Sequence, residues 1–144
     1  MTARLANLSD VDYIRRKLLS RGQNYADSAI QKMATSPRFL TVVAPPTGLF
    51  WLCQDEADLT LLHAGLTFSS GPAQTIEMLR LMLALNPWPN WKLCRVQADP
   101  AVCSADAQQA ITDVAKMSVV GQVGKAKVYE ITKATLLKNL GVKP

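Results

Sequence analysis

The chain has 144 residues, 49% of them apolar and 19% charged, and a net charge of +5. That length suits one domain, residues 1–144, with a substantial buried core, and the composition excludes a disordered chain. Charges such as Glu77 and Arg80 interrupt the longest apolar stretches, and no apolar run follows the N-terminus, so neither a membrane span nor a secretory signal is expected. A cytoplasmic protein is expected.

The elements read in chain order as follows. Residues 2–7 suit a short strand, and Ser9 suits a helix N-cap with Asp12 three residues on. Val11, Ile14 and Leu18 then fall on one helical face, and Ser20 to Gly22 stop that helix. A second helix is expected from about Asn24 to Thr35, ended by Pro37. Three apolar segments follow, 39–44, 49–54 and 59–68, joined by the turn Pro45–Gly48 and the polar link Asp55–Asp58. Short polar links between successive strands predict an antiparallel meander. Gly65 inside the third strand marks a bulge, a close approach by another backbone or ligand, or a small residue packed against a helix.

Gly71-Pro72 then turns into a helix that is apolar on most sides, ended by Pro87 and Pro89. Residues 91–97 read as a strand. Ser104 or Asp106 caps a helix running to about Lys116. A β-branched stretch (117–123), a turn at Gly124-Lys125, a last strand (127–131) and a short helix (133–140) complete the chain. The order β α α β β β α β α β β predicts a mixed, mostly antiparallel α/β sheet with helices on both faces. Its central β–α–β unit is expected to be a right-handed crossover.

This order resembles that of the GNAT superfamily of N-acetyltransferases. The opening, TARLANLSDVDYIRRKL, is similar to the start of many of its members. The family's most specific motif, Gln or Arg, two residues, Gly, one residue, then Gly or Ala, lies where a strand meets a helix. Here that window reads Phe68-Ser69-Ser70-Gly71-Pro72-Ala73, so the Gly-x-Ala half fits and Phe68 departs from the pattern. The resemblance implies acetyl-coenzyme A as cofactor, bound near Leu66, Phe68, Ser69, Ser70, Gly71, Ala73 and Gln74, with an amine as acceptor. Pro72 has no N–H to donate. The helix ending ITDVAKMSV is similar to the family's fourth helix but lacks the Tyr that members use as an acid. Such an eroded motif also resembles phage-encoded GNAT-like proteins that serve in the virion.

Acetyl transfer to an amine needs a proton acceptor. His63, the sole His, lies in the strand expected to border the cofactor cleft and is the candidate base. Glu77 is the second candidate, although an acid in the first turns of a helix also complements the dipole. Cys53, Cys94 and Cys103 have no zinc-site spacing and read as buried free thiols; no metal is expected. Trp88 and Trp91 flank Pro89 and suit either a protein-contact loop or a lid over the core.

The charge excess is uneven: ten basic and ten acidic residues cancel up to Asp113, and Lys116, Lys125, Lys127, Lys133, Lys138 and Lys143 face Glu130 alone thereafter. A lysine-rich surface without an Arg cluster or interleaved aromatics reads as solvated, and nucleic acid is not the expected partner. Three functions stay open at this point: an acetyl-coenzyme A-dependent N-acetyltransferase, an inactive GNAT-like binding or virion protein, and a basic nucleic-acid binder.

Overall fold

The computed structural model describes residues 2–143. Seven strands form one sheet in the order β1-β2-β3-β4-β5-β7-β6. The strands are β1 (Arg4–Leu5), β2 (Phe39–Ala44), β3 (Gly48–Gln54), β4 (Leu61–Ala64), β5 (Leu93–Ala98), β6 (Ser118–Val123) and β7 (Ala126–Thr132). All neighbours pair antiparallel except β4 and β5, which run parallel on either side of a helical crossover. This is the expected mixed sheet.

Helices α1 (Val11–Leu19) and α2 (Asp27–Thr35) cover one face of β2 and β3, burying Ile14, Leu18, Ile30 and Met33 against Val43, Leu49 and Trp51. On the other face lie α3 (Pro72–Leu85), α4 (Ala105–Gln109, continued by a π-helical turn over Ala110–Val114) and α5 (Lys133–Leu140). Their buried side chains, among them Met78, Met82, Val114 and Leu136, pack on Val42, Phe50, Leu62, Cys94 and Ile131. The split follows the two-residue period of the strands. Leu40, Val42, Phe50, Leu62 and Cys94 face α3, and the alternate residues face α1 and α2 or solvent.

Local chemistry sets the ends. The first cap is Asn7 rather than Ser9: Asn7 Oδ1 accepts from the Ser9 N–H at 2.9 Å, and Asp10 Oδ2 accepts from the Asn7 N–H at 2.9 Å. Asp10 is buried because Arg4 clamps it at 2.7 and 2.8 Å. Pro72 opens α3, where its missing N–H is no loss, and Asn86 closes it in the left-handed conformation at φ 40°. The Thr132 hydroxyl caps α5 by accepting from the Thr135 N–H at 3.2 Å.

One strand is shorter than the sequence suggests. The apolar run 59–68 holds ladder pairing only over Leu61–Ala64, and Phe68 rejoins the sheet through an isolated bridge to Leu49. On the β5 side, pairing stops at His63 with Arg95. Beyond that point β5 continues for three residues while the chain of β4 diverges from it. The result is a gap in the sheet that opens toward the β4–α3 loop.

Candidate functional site

A cavity of about 340 Å³ occupies this gap and crosses the sheet. On the α1–α2 face its wall includes Gln23, Tyr25, Trp51, Leu66 and Thr67. On the other face it runs along Ala64, Val96, Ala98, Ala107 and Ile111, and then under α3 as far as Met82, Trp88 and Trp91. The lining is predominantly apolar, and the volume falls within the range of small-molecule sites.

Gly65 explains how the wall is built. Its N–H donates to Trp51 O at 2.9 Å, and a Cβ placed on it would fall 1.8 Å from Trp51 Cε2. Only Gly lets the indole lie against the backbone at the edge of the gap. Gly65 is a small residue at a close contact, but what it packs against is the Trp51 ring of β3 and not the helix the sequence suggested.

The β4–α3 loop stands at the rim. Ser69 N–H donates to Asp106 Oδ2 at 2.9 Å, Ser70 N–H to Gln74 Oε1 at 2.8 Å and Gly71 N–H to Ser69 Oγ at 3.1 Å. Gln74 also accepts from Thr47 Oγ1 at 3.0 Å and so braces the loop. Ala73 and Gln74 lie in the first turn of α3, where backbone N–H groups have no partner within the helix. Leu66 lines the cavity.

Arg21, in the turn after α1, reaches the β4–α3 loop beside the cavity-lining residues Thr67 and Ala107. Its Nη2 lies 2.7 and 2.8 Å from the two carboxylate oxygens of Asp106 at the start of α4. Its guanidinium stacks 3.8 Å above the ring of buried Phe68. Phe68 takes the position that the GNAT motif gives to Gln or Arg, and a guanidinium reaches the same place from another element. Arg21 Nη1 is buried without a hydrogen-bond partner, so both of its N–H groups are unsatisfied. Burial lowers the Arg21 pKa while the Asp106 charge raises it, and the net shift is downward. For Asp106, burial raises the pKa, but hydrogen bonds from Ser104 and the Ser69 N–H, with the Arg21 charge, outweigh it and hold the carboxyl below its usual range. The loop thus already holds an oxyanion, supplied by the chain itself.

His63 is in β4 but its ring lies on the α1–α2 face, opposite the inner wall formed by Leu62 and Ala64. It is paired with Cys53 one ladder step beyond Trp51, about 7 Å along the strand. Its Nε2 is 2.8 Å from Asp55 Oδ1. That contact, with the N–H groups of Asp58 and Ala57, lowers the Asp55 pKa to about 2. Beside His63, Arg95 Nε donates to Glu130 Oε2 at 2.7 Å.

Other candidates are placed elsewhere. Glu77 Oε1 accepts from the Ala3 N–H at 2.8 Å and ties β1 to α3, so it is a structural acid. Trp88 and Trp91 are buried, and Trp88 Nε1 donates to Pro37 O at 3.1 Å. They are a lid over the core and not a protein-contact surface, because the Pro-rich loop folds inward under α3. Tyr129 is buried against α4, where its hydroxyl accepts from Gln108 Nε2 at 3.3 Å, and it does not line the cavity. Cys94 is buried, and desolvation pushes its thiol to about 12, so it is an apolar wall residue and not a nucleophile.

Arg21, Asp106 and Asp55 are residues beside the candidate site that the sequence did not single out for chemistry. Arg21 and Asp106 are 85 positions apart, and Arg21 alone reads as a basic residue complementing the end of a helix.

The architecture is that of the GNAT N-acetyltransferases. A probable acetyltransferase from Staphylococcus epidermidis superposes with a TM-score of 0.68 at 8% identity, over 92% of this chain and 98% of that one. Diaminobutyrate acetyltransferase EctA from Paenibacillus lautus, in complex with L-2,4-diaminobutyric acid and coenzyme A, gives 0.70 at 10% identity, over 91% and 93%. The aminoglycoside acetyltransferase AAC(6')-Ib, in complex with coenzyme A, gives 0.63 at 15%, over 95% and 97%. No protein-family model matches the sequence, and no curated protein does. The chain has the GNAT fold.

Proposed function

We propose that the gap between β4 and β5 binds an acyl-coenzyme A and that the chain transfers its acyl group, acetyl in the simplest case, to an amine. The observation that carries this reading is the cavity that crosses the sheet at the gap. It offers one substrate an approach beside α4 and the other an approach past Tyr25 and Trp51. The anion-holding loop at the rim supports it, as does the binding of coenzyme A by structural neighbours such as EctA.

The residues present fit an anionic head group. The two N–H groups of Arg21 Nη1, once the side chain shifts to uncover them, and the first-turn N–H groups of Ala73 and Gln74 would hold a phosphate at the N-terminus of α3. Asp106 must then release the Ser69 amide, because its carboxylate already sits there. The thioester, when bound, supplies an activated acyl carbon. The chain's own contribution is to place that carbon in an apolar channel and to take a proton from the amine. His63, held by Asp55 through Nε2, would accept that proton at Nδ1 through one water, since its ring lies one ladder step from the cavity wall. A leaving thiol with a pKa of about 8.5 can take its proton from solvent near neutral pH, so the missing helix Tyr lowers rate without abolishing the reaction.

A second reading, binding without catalysis, rests on the same loop. The amides of Ser69, Ser70 and Gly71 are all taken by the chain's own side chains. The two readings separate when acetyl-coenzyme A is incubated with polyamines, aminoglycosides and diamino acids and acetylated product is followed by mass spectrometry. Transfer is expected to one amine class. His63→Gln is expected to lower kcat by about 100-fold. Cofactor binding without transfer to any amine would leave the binding-only reading.

A further inference from the structure

The cavity is larger than an acetyl group requires, and its extra length lies in one direction. The parallel pairing of β4 and β5 ends at His63 and Arg95, so the gap lies on the Val96–Ala98 side of that point. Cys94 lines the cavity from the closed side, and so do Trp88 and Trp91, which precede β5. From Ala98 back to Cys94 the wall extends about 13 Å at 3.3 Å per residue, and it continues under α3 to the two indoles. The walls of this inner arm are mainly apolar, formed by Leu62, Met82, Leu83, Cys94, Trp88 and Leu136, with Asn86 and the Trp91 indole as the polar groups at its end. The Cys94 thiol stays protonated, and Trp88 Nε1 is already committed to Pro37 O.

We propose that this inner arm binds a linear saturated acyl chain, and that the preferred cofactor is a medium-chain acyl-coenzyme A rather than acetyl-coenzyme A. The inference rests on the proposed cofactor site and adds the class of acyl group. An arm of this shape selects by chain length. Each methylene removed from water contributes about 0.8 kcal/mol, a factor of about four in affinity. Ordering of the chain takes back part of that gain, and the gain ends when the chain outgrows the arm. A hydroxylated or charged tail would lose its hydration there without finding partners.

The test is calorimetric titration of the full chain with coenzyme A, acetyl-, butyryl-, octanoyl- and dodecanoyl-coenzyme A, each below its micellar concentration. Octanoyl-coenzyme A is expected to bind at least tenfold more tightly than acetyl-coenzyme A. Cys94→Leu, which fills the arm on the closed side of the gap, is expected to remove the gain of octanoyl- over acetyl-coenzyme A. Leu83→Trp serves as a second filling variant, and thermal melting reports that each variant is folded. Equal affinity for the acetyl and octanoyl thioesters, with coenzyme A itself bound, would overturn the acyl-chain arm alone and make the cavity a loosely packed core. A gain that survives in both folded variants would also overturn it, by placing the chain elsewhere. Absence of binding by coenzyme A and every thioester would overturn the cofactor site, and the arm with it.

Discussion

The Arg21 guanidinium closes on the Asp106 carboxylate at 2.7 and 2.8 Å, and that carboxylate accepts from the Ser69 N–H at 2.9 Å. Three segments, the turn after α1, the β4–α3 loop and the start of α4, therefore meet on one charge next to the cavity-lining residues Thr67 and Ala107. A phosphate entering there would compete with Asp106 for the amide and gain Arg21 as a counterion. Asp106→Asn is expected to raise the affinity for coenzyme A several-fold, and Arg21→Ala to lower it roughly tenfold or more, the scale of a charge-assisted hydrogen bond. Calorimetry on the two variants checks both signs. A loss of affinity in Asp106→Asn would mean that the carboxylate organises the loop and does not compete with the ligand.

Gly65 gives the sharpest steric prediction. A methyl group there would occupy space taken by the Trp51 ring. Gly65→Ala is expected to cost about 1–3 kcal/mol, read as a lower urea midpoint, and to shift the tryptophan emission as Trp51 moves. An unchanged midpoint would show that the ring is free to rotate away.

Trp88 supplies a test of the inward-folded loop. Removing a buried indole costs about 3–5 kcal/mol, so Trp88→Ala is expected to lower the urea midpoint strongly. A near-wild-type midpoint would restore the contact-loop alternative, in which the side chain faces outward.

The acid limb of stability follows from three carboxylates. Asp10 is lowered first by Arg4, Asp55 first by His63, and Asp106 by the hydrogen bonds and charge that outweigh its burial. A carboxylate with a lowered folded pKa stabilises the protein above its unfolded pKa of about 3.9 and loses that contribution as pH falls through the folded value. Melting temperature is therefore expected to fall from about pH 4 toward pH 2, where Asp55 titrates. Asp55→Asn should flatten part of that slope. A melting temperature independent of pH in this window would contradict these interactions.

Much of the fold was legible because period and punctuation agree. Pro72 with Asn86 and Pro87 brackets α3, and β2 and β3 are β-branched or aromatic runs between polar turns. The run 59–68 misled, since an apolar segment reads the same whether its backbone pairs with a neighbour or diverges from it. That divergence makes the cavity, so the site's central feature left no sequence signal beyond Gly65. The N-cap moved from Ser9 to Asn7 because Asp10, three residues after Asn7, completes the reciprocal pair. The loop 68–74 was proposed from a motif, whereas Arg21 and Asp106 needed the fold to bring them together. The inward face of Trp88 and Trp91 depended on α3 and α5, which no local pattern reports.

The central claim is that the gap between β4 and β5 is a coenzyme A site, and calorimetric titration of the purified chain with coenzyme A tests it most directly. Micromolar binding that weakens at least tenfold in Arg21→Ala is the predicted result. No heat of binding at millimolar coenzyme A, from protein with a cooperative melting transition, would contradict the account.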